Sequence, residues 1–248
     1  KTGKDLRQYK PNFSVGDAVA VSPDGKVIAS VGGRGDMGEY GELTVWDKKS
    51  GKTLWTQSRS KYYIGEVAFS PSGQTIVTGH SDGSVGLWNA KDGSLIRTFV
   101  GDKGSVTQVG FSKDGQSLLS SSTDGTIKIW DVTTEKLQRT FDLKSPATGF
   151  ALAQSGRLWT LNNDNLLQAW DAQSGKLLLT IEVLSCERNA KGYLTTEWIA
   201  RTPDGYYDAS AGASKYIRWR VGDKVLPAEA YAKKYYRPDL VAAALQSG

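Results

Sequence analysis

The sequence predicts an all-β fold made of repeated four-stranded antiparallel units. Tryptophans recur at Trp46, Trp88, Trp130 and Trp170, at intervals of 42, 42 and 40 residues, and a regular period of this length indicates a repeat architecture. Each tryptophan ends a segment in which apolar and polar residues alternate, which is the period of a strand. Glycine is frequent, with 28 residues, and proline is rare, with 7, as in proteins whose short strands are joined by tight turns.

The stretch 122–131, STDGTIKIWD, shows the repeated pattern most clearly. Asp124 and Gly125 form a tight turn in which glycine supplies a positive φ. Ile127 and Ile129 then alternate with polar residues as far as Trp130. The pattern assigns a structural role to the turn aspartates and to the tryptophans that close the strands. These residues are Asp82, Asp124 and Asp164, with Trp46, Trp88, Trp130, Trp170 and Trp219.

Each unit reads as an outer strand, an inner strand, a third strand and a tryptophan strand, separated by turns. The outer strands are predicted at 5–9, 52–56, 94–99, 136–141 and 176–181. The inner strands are predicted at 18–21, 67–69, 109–111 and 150–152, and the third strands at 27–31, 75–79, 117–121 and 157–161. The tryptophan strands end near residues 47, 89, 131, 171 and 220. Five repeat units are therefore visible.

The fifth unit is degenerate, and the pattern changes after it. Its inner strand is predicted at 195–200, its turn at 202–205 and its last strand around Trp219. Beyond residue 222, the sequence predicts two short helices, at 228–236 and 240–245, because prolines precede each of them. We therefore expect a propeller over 1–222 and a helical extension over 223–248 that packs on the propeller or leads to a following domain.

Two segments carry a family resemblance. VAFSPSGQTIVTGHSDGSVGLWNAKDGSLIRTF and VGFSKDGQSLLSSSTDGTIKIWDVTTEKLQRTF resemble WD40 repeats, and the resemblance, which extends over about residues 1–222, implies a β-propeller of four-stranded blades. The family often places Gly-His before the inner strand, whereas Gly101 and Asp102 stand there in this chain. We therefore expect the buried hydrogen-bond network of His, Ser or Thr, Trp and Asp to be incomplete.

The count of five units does not decide how the ring closes, since relatives in the family usually have seven blades. Either residues 1–9 pair beside Trp219 and close five blades, or the missing blades come from an N-terminal segment or another chain. We favour an excised C-terminal portion of a longer protein. The end of the chain, TPDGYYDAS…IRWRVG…PAEAYAKKYYRPDLVAAAL, resembles bacterial WD40 propellers that share a polypeptide with caspase-like peptidase domains, which implies such a domain as a partner.

Composition argues against several classes of function. The net charge is +5, but the 31 Lys and Arg and 26 Asp and Glu are interspersed, and the densest basic run, at 233–237, is assigned to a solvated helix face rather than to nucleic acid. The longest apolar runs fall short of the roughly 18–20 residues of a membrane helix. We expect no nucleic-acid partner, no membrane insertion and a cytoplasmic location.

Catalysis is not expected. Cys186 lacks the surrounding motif of a catalytic cysteine, and one cysteine forms neither an internal disulfide nor a thiolate zinc site. The single histidine, His80, cannot form a multi-histidine metal site and is expected to be a solvated turn residue. The sequence thus predicts a protein without enzymatic activity, cofactor or bound metal.

Binding is the better class, because the loops before the inner strands and after the third strands share one face of a propeller. The candidate binding residues are Asp17, Arg59, Tyr62, Tyr63, His80, Ser81, Thr107, Thr123 and Asn163. Tyr62 and Tyr63 form the cluster most typical of an interaction hot spot, although packing against a neighbouring blade explains them equally well. Tyr231, Tyr235 and Tyr236 are expected to dock the C-terminal helix.

These observations predict a protein-interaction or scaffold propeller, serving as the sensing or regulatory part of a larger bacterial effector or peptidase protein. Two alternatives stay open: a propeller that binds a small ligand or glycan, and a mainly structural assembly scaffold.

Overall fold

The computed structural model describes residue 9 and residues 15–34, 40–59, 62–188, 194–221 and 223–246. The chain divides into two units, residues 1–149 and residues 150–248. Both units are built mainly from antiparallel sheets, and the predicted all-β class with four-stranded blades is confirmed.

Unit 1 contains three sheets of four strands, each with its strands side by side in chain order. The first sheet consists of β1 (Val15–Val21), β2 (Val27–Arg34), β3 (Tyr40–Asp47) and β4 (Thr53–Arg59). The second consists of β5 (Ile64–Phe69), β6 (Thr75–His80), β7 (Ser84–Asn89) and β8 (Leu95–Val100). The third consists of β9 (Val106–Phe111), β10 (Ser117–Ser122), β11 (Thr126–Asp131) and β12 (Leu137–Asp142).

The core of unit 1 lies between successive sheets. Val67 of β5 packs into a cluster with Val31 and Leu43 of the first sheet. Val109 of β9 occupies the corresponding place against the second sheet, in a cluster that includes Leu87. The innermost strand of each sheet therefore covers the apolar face of the sheet before it, and the central strands β6 and β10 are buried along most of their length.

Asp102 completes the hydrogen-bond network of the third sheet. The indole Nε1 of Trp130 donates to Ser120 Oγ over 3.2 Å, and Ser120 Oγ donates to Asp102 Oδ2 over 2.9 Å. The expectation that Gly101 and Asp102 leave this network incomplete is wrong. A carboxylate oxygen accepts the serine hydroxyl, and the carboxylate also binds Lys128, whose Nζ lies 2.6 Å from Asp102 Oδ1.

His80 is an internal residue of the second sheet. It ends β6 with none of its surface exposed. Its Nε2 lies 2.7 Å from Thr78 Oγ1, which accepts the indole N–H of Trp88 over 2.8 Å, and its Nδ1 lies 2.8 Å from Ser84 Oγ. The prediction of a solvated turn histidine is wrong, because the imidazole links the tryptophan to the following turn.

The turn aspartates differ between the units. Asp82 Oδ1 accepts the backbone N–H of Ser84 over 3.0 Å, and Asp124 Oδ1 accepts that of Thr126 over 2.9 Å. In unit 2, the corresponding acceptor is Asn162 Oδ1, which receives the backbone N–H groups of Asp164 and Leu166 over 3.1 and 3.0 Å. The structural role predicted for the Asp164 side chain, which is exposed, therefore belongs to Asn162.

Unit 2 is built on a six-stranded sheet whose first strand begins at Ala147. Its strands are β13 (Ala147–Leu152), β14 (Arg157–Asn162), β15 (Leu166–Asp171), β16 (Leu177–Arg188), β17 (Leu194–Arg201) and β18 (Tyr207–Ala209). The expected inner strand of a fifth unit lies in β17, which pairs with β18 and also with β16, so the fifth unit joins the sheet of the fourth. Residues 182–186 contain no Gly or Pro, so β16 continues past its predicted end and offers β17 a long ladder.

Trp219 does not close a four-stranded unit. It lies in β19 (Arg218–Val221), which pairs with β20 (Lys224–Pro227) in a two-stranded sheet. The prediction of a fifth four-stranded unit is therefore wrong for the described residues. The proposed closing strand at 1–9 lies outside them except for Tyr9, whose ring packs 5.9 Å from that of Trp46.

The chain ends in helices, as predicted. A 3-10 turn at Ala228–Tyr231 leads into α1 (Ala232–Tyr235), and α2 (Pro238–Gln246) follows. Val241 of α2 joins a buried cluster with Leu179 of β16. Among the described residues, no helix is long and apolar enough to cross a membrane. The predicted domain boundary at 222 stays a prediction.

Candidate functional site

A groove of about 400 Å³ lies at one end of the inner strands of unit 1. It is bordered by β1, by the loops that enter β5 and β9, and by the turn that leaves β6. The lining residues are Asp17, Tyr63, Gly65, Glu66, Ser81, Ser105, Val106 and Thr107. Four of the nine predicted binding residues, Asp17, Tyr63, Ser81 and Thr107, therefore come together here.

Hydrogen bonds join the loops around the groove into a continuous series. Ser81 donates its backbone N–H to the carbonyl oxygen of Tyr63 over 3.0 Å, and Tyr63 donates its own N–H to Ser81 Oγ over 3.1 Å. Ser105 Oγ donates to the carbonyl oxygen of Ser81 over 3.1 Å, and Thr123 N–H donates to the carbonyl oxygen of Ser105 over 2.9 Å. These bonds tie the loops of the second and third sheets to one another and fix the groove wall.

A bulge interrupts each inner strand at the groove. The extra residue is Asp17 in β1, Gly65 in β5 and Thr107 in β9, since the pairing register shifts at each of them. Bulges turn side chains out of the regular alternation and are common beside functional sites. The three equivalent bulges place different residues, an aspartate, a glycine and a threonine, at the same end of unit 1.

The bulge residues have different contributions to the groove. Thr107 Oγ1 donates to the carbonyl oxygen of Ala147 over 2.8 Å and lies 2.9 Å from Ser121 Oγ, so its hydroxyl is already used. At Gly65, a Cβ atom would lie 3.8 Å from Cε1 of Tyr63, which places the tyrosine ring beside the glycine. Asp17 is exposed and presents its carboxylate to solvent.

Two carboxylates give the groove its electrostatic character. Burial raises the pKa of Glu66, and the negative charge of Asp17 raises it further. Burial also raises the pKa of the Asp17 carboxyl. Among the described residues, the lining includes no lysine or arginine. The groove thus holds two like charges whose ionised forms are disfavoured, and a cation placed between them would relieve both effects.

The other predicted binding residues have different positions. Tyr62 accepts the N–H of Gly41 at its carbonyl oxygen over 3.1 Å, and its side chain is half-buried outside the groove lining. Arg59 ends β4, and its side chain lies outside the described residues. His80 is buried and is withdrawn from any binding surface. Asn163 is exposed in the turn after β14 of unit 2.

Glu66 is the groove residue that sequence reasoning missed. When the inner strands are aligned on their repeats, Glu66 corresponds to Ala18 and Gln108, directly after the bulge residues. The predicted inner strand begins at Val67, directly after Glu66, and Glu66 was not among the candidate binding residues. The one sign in the sequence was that this repeat position carries alanine, glutamate and glutamine in the three units, which is unusual for a core position.

A second concavity of unit 1, about 370 Å³ in volume, lies on the first sheet. Its lining is largely apolar and includes Val19, Ile28 and Trp46. Ser30 also lines it, and its buried Oγ has no hydrogen-bond partner among the described residues. Asp17 also borders this concavity and is the one charged residue of its lining among the described residues. The acidic groove is lined by both Asp17 and Glu66 and by several hydroxyl groups, and it is the better candidate site.

Comparison with known proteins identifies repeats in the second and third sheets. Residues 51–89 and 93–131 match the family described as "WD domain, G-beta repeat". The chain is also 32% identical over 89 residues to a protein named "Periodic tryptophan protein 2 homolog" from Dictyostelium discoideum. That similarity covers 34% of this chain and 10% of the relative, so the chain spans about a tenth of the relative's length.

Proposed function

We propose that this chain, which carries WD40 repeats, is a non-catalytic protein-interaction module that binds a partner segment in the groove of unit 1. The observation that carries the proposal is the placement of Tyr63 beside the carboxylates of Asp17 and Glu66 on hydrogen-bonded loops. Tyrosine supplies a large contact area with little loss of side-chain freedom, and such residues dominate the energetics of interfaces.

The chemistry of the groove favours a basic side chain of the partner. A lysine or arginine inserted between Asp17 and Glu66 would pair with both carboxylates and could stack on the Tyr63 ring. Because burial disfavours the ionised carboxylate of Glu66, a cation beside Glu66 gains more than in an exposed surface pair, and the exposed carboxylate of Asp17 adds a weaker attraction. The partner is therefore a protein segment that presents at least one cationic residue.

The environments of His80 and Cys186, the two residues considered for catalysis, support a role without catalysis. Both imidazole nitrogens of His80 lie within hydrogen-bond distance of hydroxyl groups, those of Thr78 and Ser84, inside the second sheet. Cys186 is exposed in β16, with Thr196 Oγ1 3.8 Å from its Sγ atom. Among the described residues, neither environment offers the paired nucleophile and base that covalent catalysis requires.

The wider role we propose is the sensing or regulatory part of a larger cytoplasmic bacterial effector or peptidase protein. The resemblance of the C-terminal sequence to propellers that share a polypeptide with caspase-like domains supports this context. In such a protein, the groove would bind the partner that is sensed or recruited, and additional blades would come from an N-terminal segment or another chain.

A small ligand or glycan is the alternative occupant of the groove. Its volume of about 400 Å³ is within the range of ligand sites, and Ser81 and Ser105 line it with hydroxyl groups. The two readings differ in chemistry, because a neutral glycan does not require the negative charges of Asp17 and Glu66.

A peptide library displayed on phage tests the proposal on the full chain. Enriched peptides should contain lysine or arginine, and their binding should weaken at least tenfold in the double variant Asp17→Asn, Glu66→Gln. Tyr63→Ala should weaken it by about 2 kcal/mol, or roughly 30-fold, as for an interface anchor. Asp114→Asn, in an exposed turn of the same unit, is the matched control and should bind like the wild type.

Two outcomes would contradict the proposal. If enriched peptides bind the wild type and the double variant equally, the groove is not their site. If a glycan array yields a neutral ligand whose binding is abolished by Tyr63→Ala but unaffected by the double variant, the alternative occupant is correct.

A further inference from the structure

The basic character of the chain is concentrated in one segment of unit 2. Residues 215–237 contain seven Lys and Arg and two Asp and Glu. The segment therefore has a net charge of +5, which equals the net charge of the whole chain, and the remaining 225 residues are neutral overall. From sequence, part of this segment was expected to form a solvated helix face. In the structure, the segment also contains a two-stranded sheet, β19 and β20.

The two-stranded sheet of β19 and β20 forms the centre of this segment. Trp219 pairs with Leu226, and Arg220 pairs with Val225. Because side chains alternate across a strand, Trp219 and Leu226 share one face, and Arg218, Arg220 and Val225 share the other. We call these two strands the basic ribbon.

One face of the basic ribbon is held against the helical end of unit 2. The ring of Trp219 lies 5.6 Å from that of Tyr231 and 5.2 Å from that of Tyr235, and its Nε1 donates to the carbonyl oxygen of Ala228 over 3.0 Å. An isolated two-stranded sheet is only marginally stable in water. The aromatic contacts therefore fix the ribbon in place and leave its arginine face toward solvent.

The solvent-facing part of the ribbon is both basic and apolar. On the arginine face, Val225 is 59% exposed beside the exposed Arg218 and Arg220. Val221, 50% exposed, pairs with the exposed Lys224 on the other face, at the end of the ribbon beyond the Trp219–Leu226 pair. Arg237 is neutralised by Asp239. Arg220, Lys224 and Lys233 have no carboxylate partner among the described residues.

We propose that the basic ribbon is a second interaction surface, which binds an acidic protein segment that also carries apolar residues. Charge complementarity favours a negatively charged partner, because the unpaired cations repel one another and an acidic chain relieves that repulsion. The exposed valines select a protein rather than a purely charged polymer, because they can contact apolar side chains between the acidic residues.

Nucleic acid fits this surface less well. Single-stranded nucleic acids are bound by aromatic rings that stack on bases within a basic groove. In the described part of unit 2, the rings of Trp219, Tyr231 and Tyr235 instead pack on one another. The outer face of the ribbon presents Arg218, Arg220 and Val225, none of which is aromatic.

Fluorescence anisotropy on the full chain tests this inference. The probes are a labelled peptide of glutamate, aspartate and leucine, its lysine-for-glutamate counterpart, and a single-stranded RNA of the same charge as the acidic peptide. We expect the acidic peptide to bind more tightly than the RNA. We also expect its affinity to fall steeply with added salt, because the Debye length shortens from about 10 Å at 0.1 M to about 3 Å at 1 M.

Charge reversal identifies the surface. The ribbon variant Arg220→Glu, Lys224→Glu, Lys233→Glu changes two residues of the ribbon and Lys233 of α1, the helix whose Tyr235 packs on Trp219. It should weaken binding of the acidic peptide at least tenfold. The control variant Lys91→Glu, Lys113→Glu, Lys136→Glu changes the net charge equally at exposed turns of unit 1 and should weaken it no more than threefold. Glutamine at positions 220, 224 and 233 should give an intermediate loss and keeps the test valid if glutamates disturb the fold.

The inference is overturned if the ribbon and control variants lose affinity equally, because the binding then follows net charge alone. Tighter binding of the RNA, lost in the ribbon variant, would identify the surface as a nucleic-acid site instead and would also overturn it. Binding of basic peptides in the groove of unit 1 is read out separately with the lysine-containing probe. If the lysine-containing peptide still binds the ribbon variant, the proposed function of the groove holds even when the inference about the ribbon fails.

Discussion

Lys128 Nζ lies 2.6 Å from Asp102 Oδ1 inside unit 1, with 8% of the lysine side chain and none of the aspartate side chain exposed. Lys128 also lies 3.7 Å from Asp124 Oδ2, so one buried ammonium group is shared by two carboxylates. The pair connects the loop that enters the third sheet to the strand that ends in Trp130, and it adds a charge interaction to the Ser120 network.

Removal of one partner of this pair should be strongly destabilising. Asp102→Ala leaves the Lys128 ammonium buried with the Thr126 hydroxyl, 2.5 Å from Nζ, and the more distant carboxylate of Asp124. We expect the free energy of unfolding to fall by about 3–5 kcal/mol. Urea unfolding followed by tryptophan fluorescence measures the change. The double variant Asp102→Ala, Lys128→Met should recover part of the loss, because it removes the unpaired charge; a double variant less stable than the single one would contradict the role assigned to the pair.

Glu66→Gln should stabilise the protein at neutral pH while it weakens groove binding. Burial and the charge of Asp17 raise the pKa of Glu66 above the usual 4.5, so the folded state binds its proton more tightly than the unfolded state does. Stability therefore falls as pH rises from the pKa of Glu66 in the unfolded state to its higher pKa in the folded state. The gain in stability of Glu66→Gln should be present at pH values above the folded-state pKa of Glu66 and absent below its unfolded-state pKa. Thermal unfolding at several pH values measures it. A variant less stable than the wild type at neutral pH would contradict the electrostatic account.

Binding of a basic peptide in the groove should depend on pH in the opposite sense. Protonation of Glu66 removes one of the two charges that attract the peptide, so affinity should decrease as pH falls through the raised pKa of Glu66. Titration calorimetry of an enriched peptide at several pH values measures this dependence. The same measurement on Glu66→Gln should show a weaker dependence, with only Asp17 left to titrate, and an unchanged profile would exclude Glu66 as the group responsible.

Thr78→Val should cost more stability than Thr160→Val. Each threonine accepts an indole N–H, from Trp88 over 2.8 Å and from Trp170 over 3.0 Å. Thr78 additionally lies 2.7 Å from His80 Nε2, so its replacement removes two buried hydrogen bonds. Because a buried polar group that loses its partner costs about 1–3 kcal/mol, we expect roughly 1 kcal/mol for Thr160→Val and roughly twice that for Thr78→Val. Equal losses in urea unfolding would show that the histidine bond contributes nothing.

Gly83→Ala should be more destabilising than Gly25→Ala. Both glycines have positive φ, +80° and +71°, where an L residue costs about 1–2 kcal/mol. At Gly25 the added Cβ meets nothing within 4 Å, whereas at Gly83 it would overlap the carbonyl oxygen of Asp102. We expect a loss of about 1 kcal/mol for Gly25→Ala and about 2–4 kcal/mol for Gly83→Ala, since overpacking adds roughly 1–3 kcal/mol. Thermal unfolding of the two variants provides the comparison.

The strands of unit 1 followed from local sequence. Period-two alternation and Gly-containing turns marked the four strands of the second and third sheets to within two or three residues, because strand alternation and turn conformation depend on residues close together in the chain. The same reasoning failed after Ile181. Whether β17 pairs with β16 or starts a separate sheet depends on which partner offers the longer ladder, and no local pattern contains that information.

The candidate site followed from sequence only in part. Asp17, Tyr63 and Ser81 were found because they stand in loops that a repeat architecture brings to one end. Glu66 was missed because a bulge at Gly65 displaces it from the regular alternation. His80 was misplaced because a histidine in a polar stretch gives no sign of the hydroxyl groups of Thr78 and Ser84 that surround it.

By itself, the sequence determined the repeat, the strand and turn types of unit 1 and the helical end of the chain. These features depend on periodicity and on residues a few positions apart. Only the tertiary structure decided that Asp102 would complete a buried network, that two carboxylates would share a groove, and that Trp219 would anchor a basic ribbon. Each of these outcomes requires contacts between residues distant in the chain, whose energies depend on burial and distance rather than on order in the sequence.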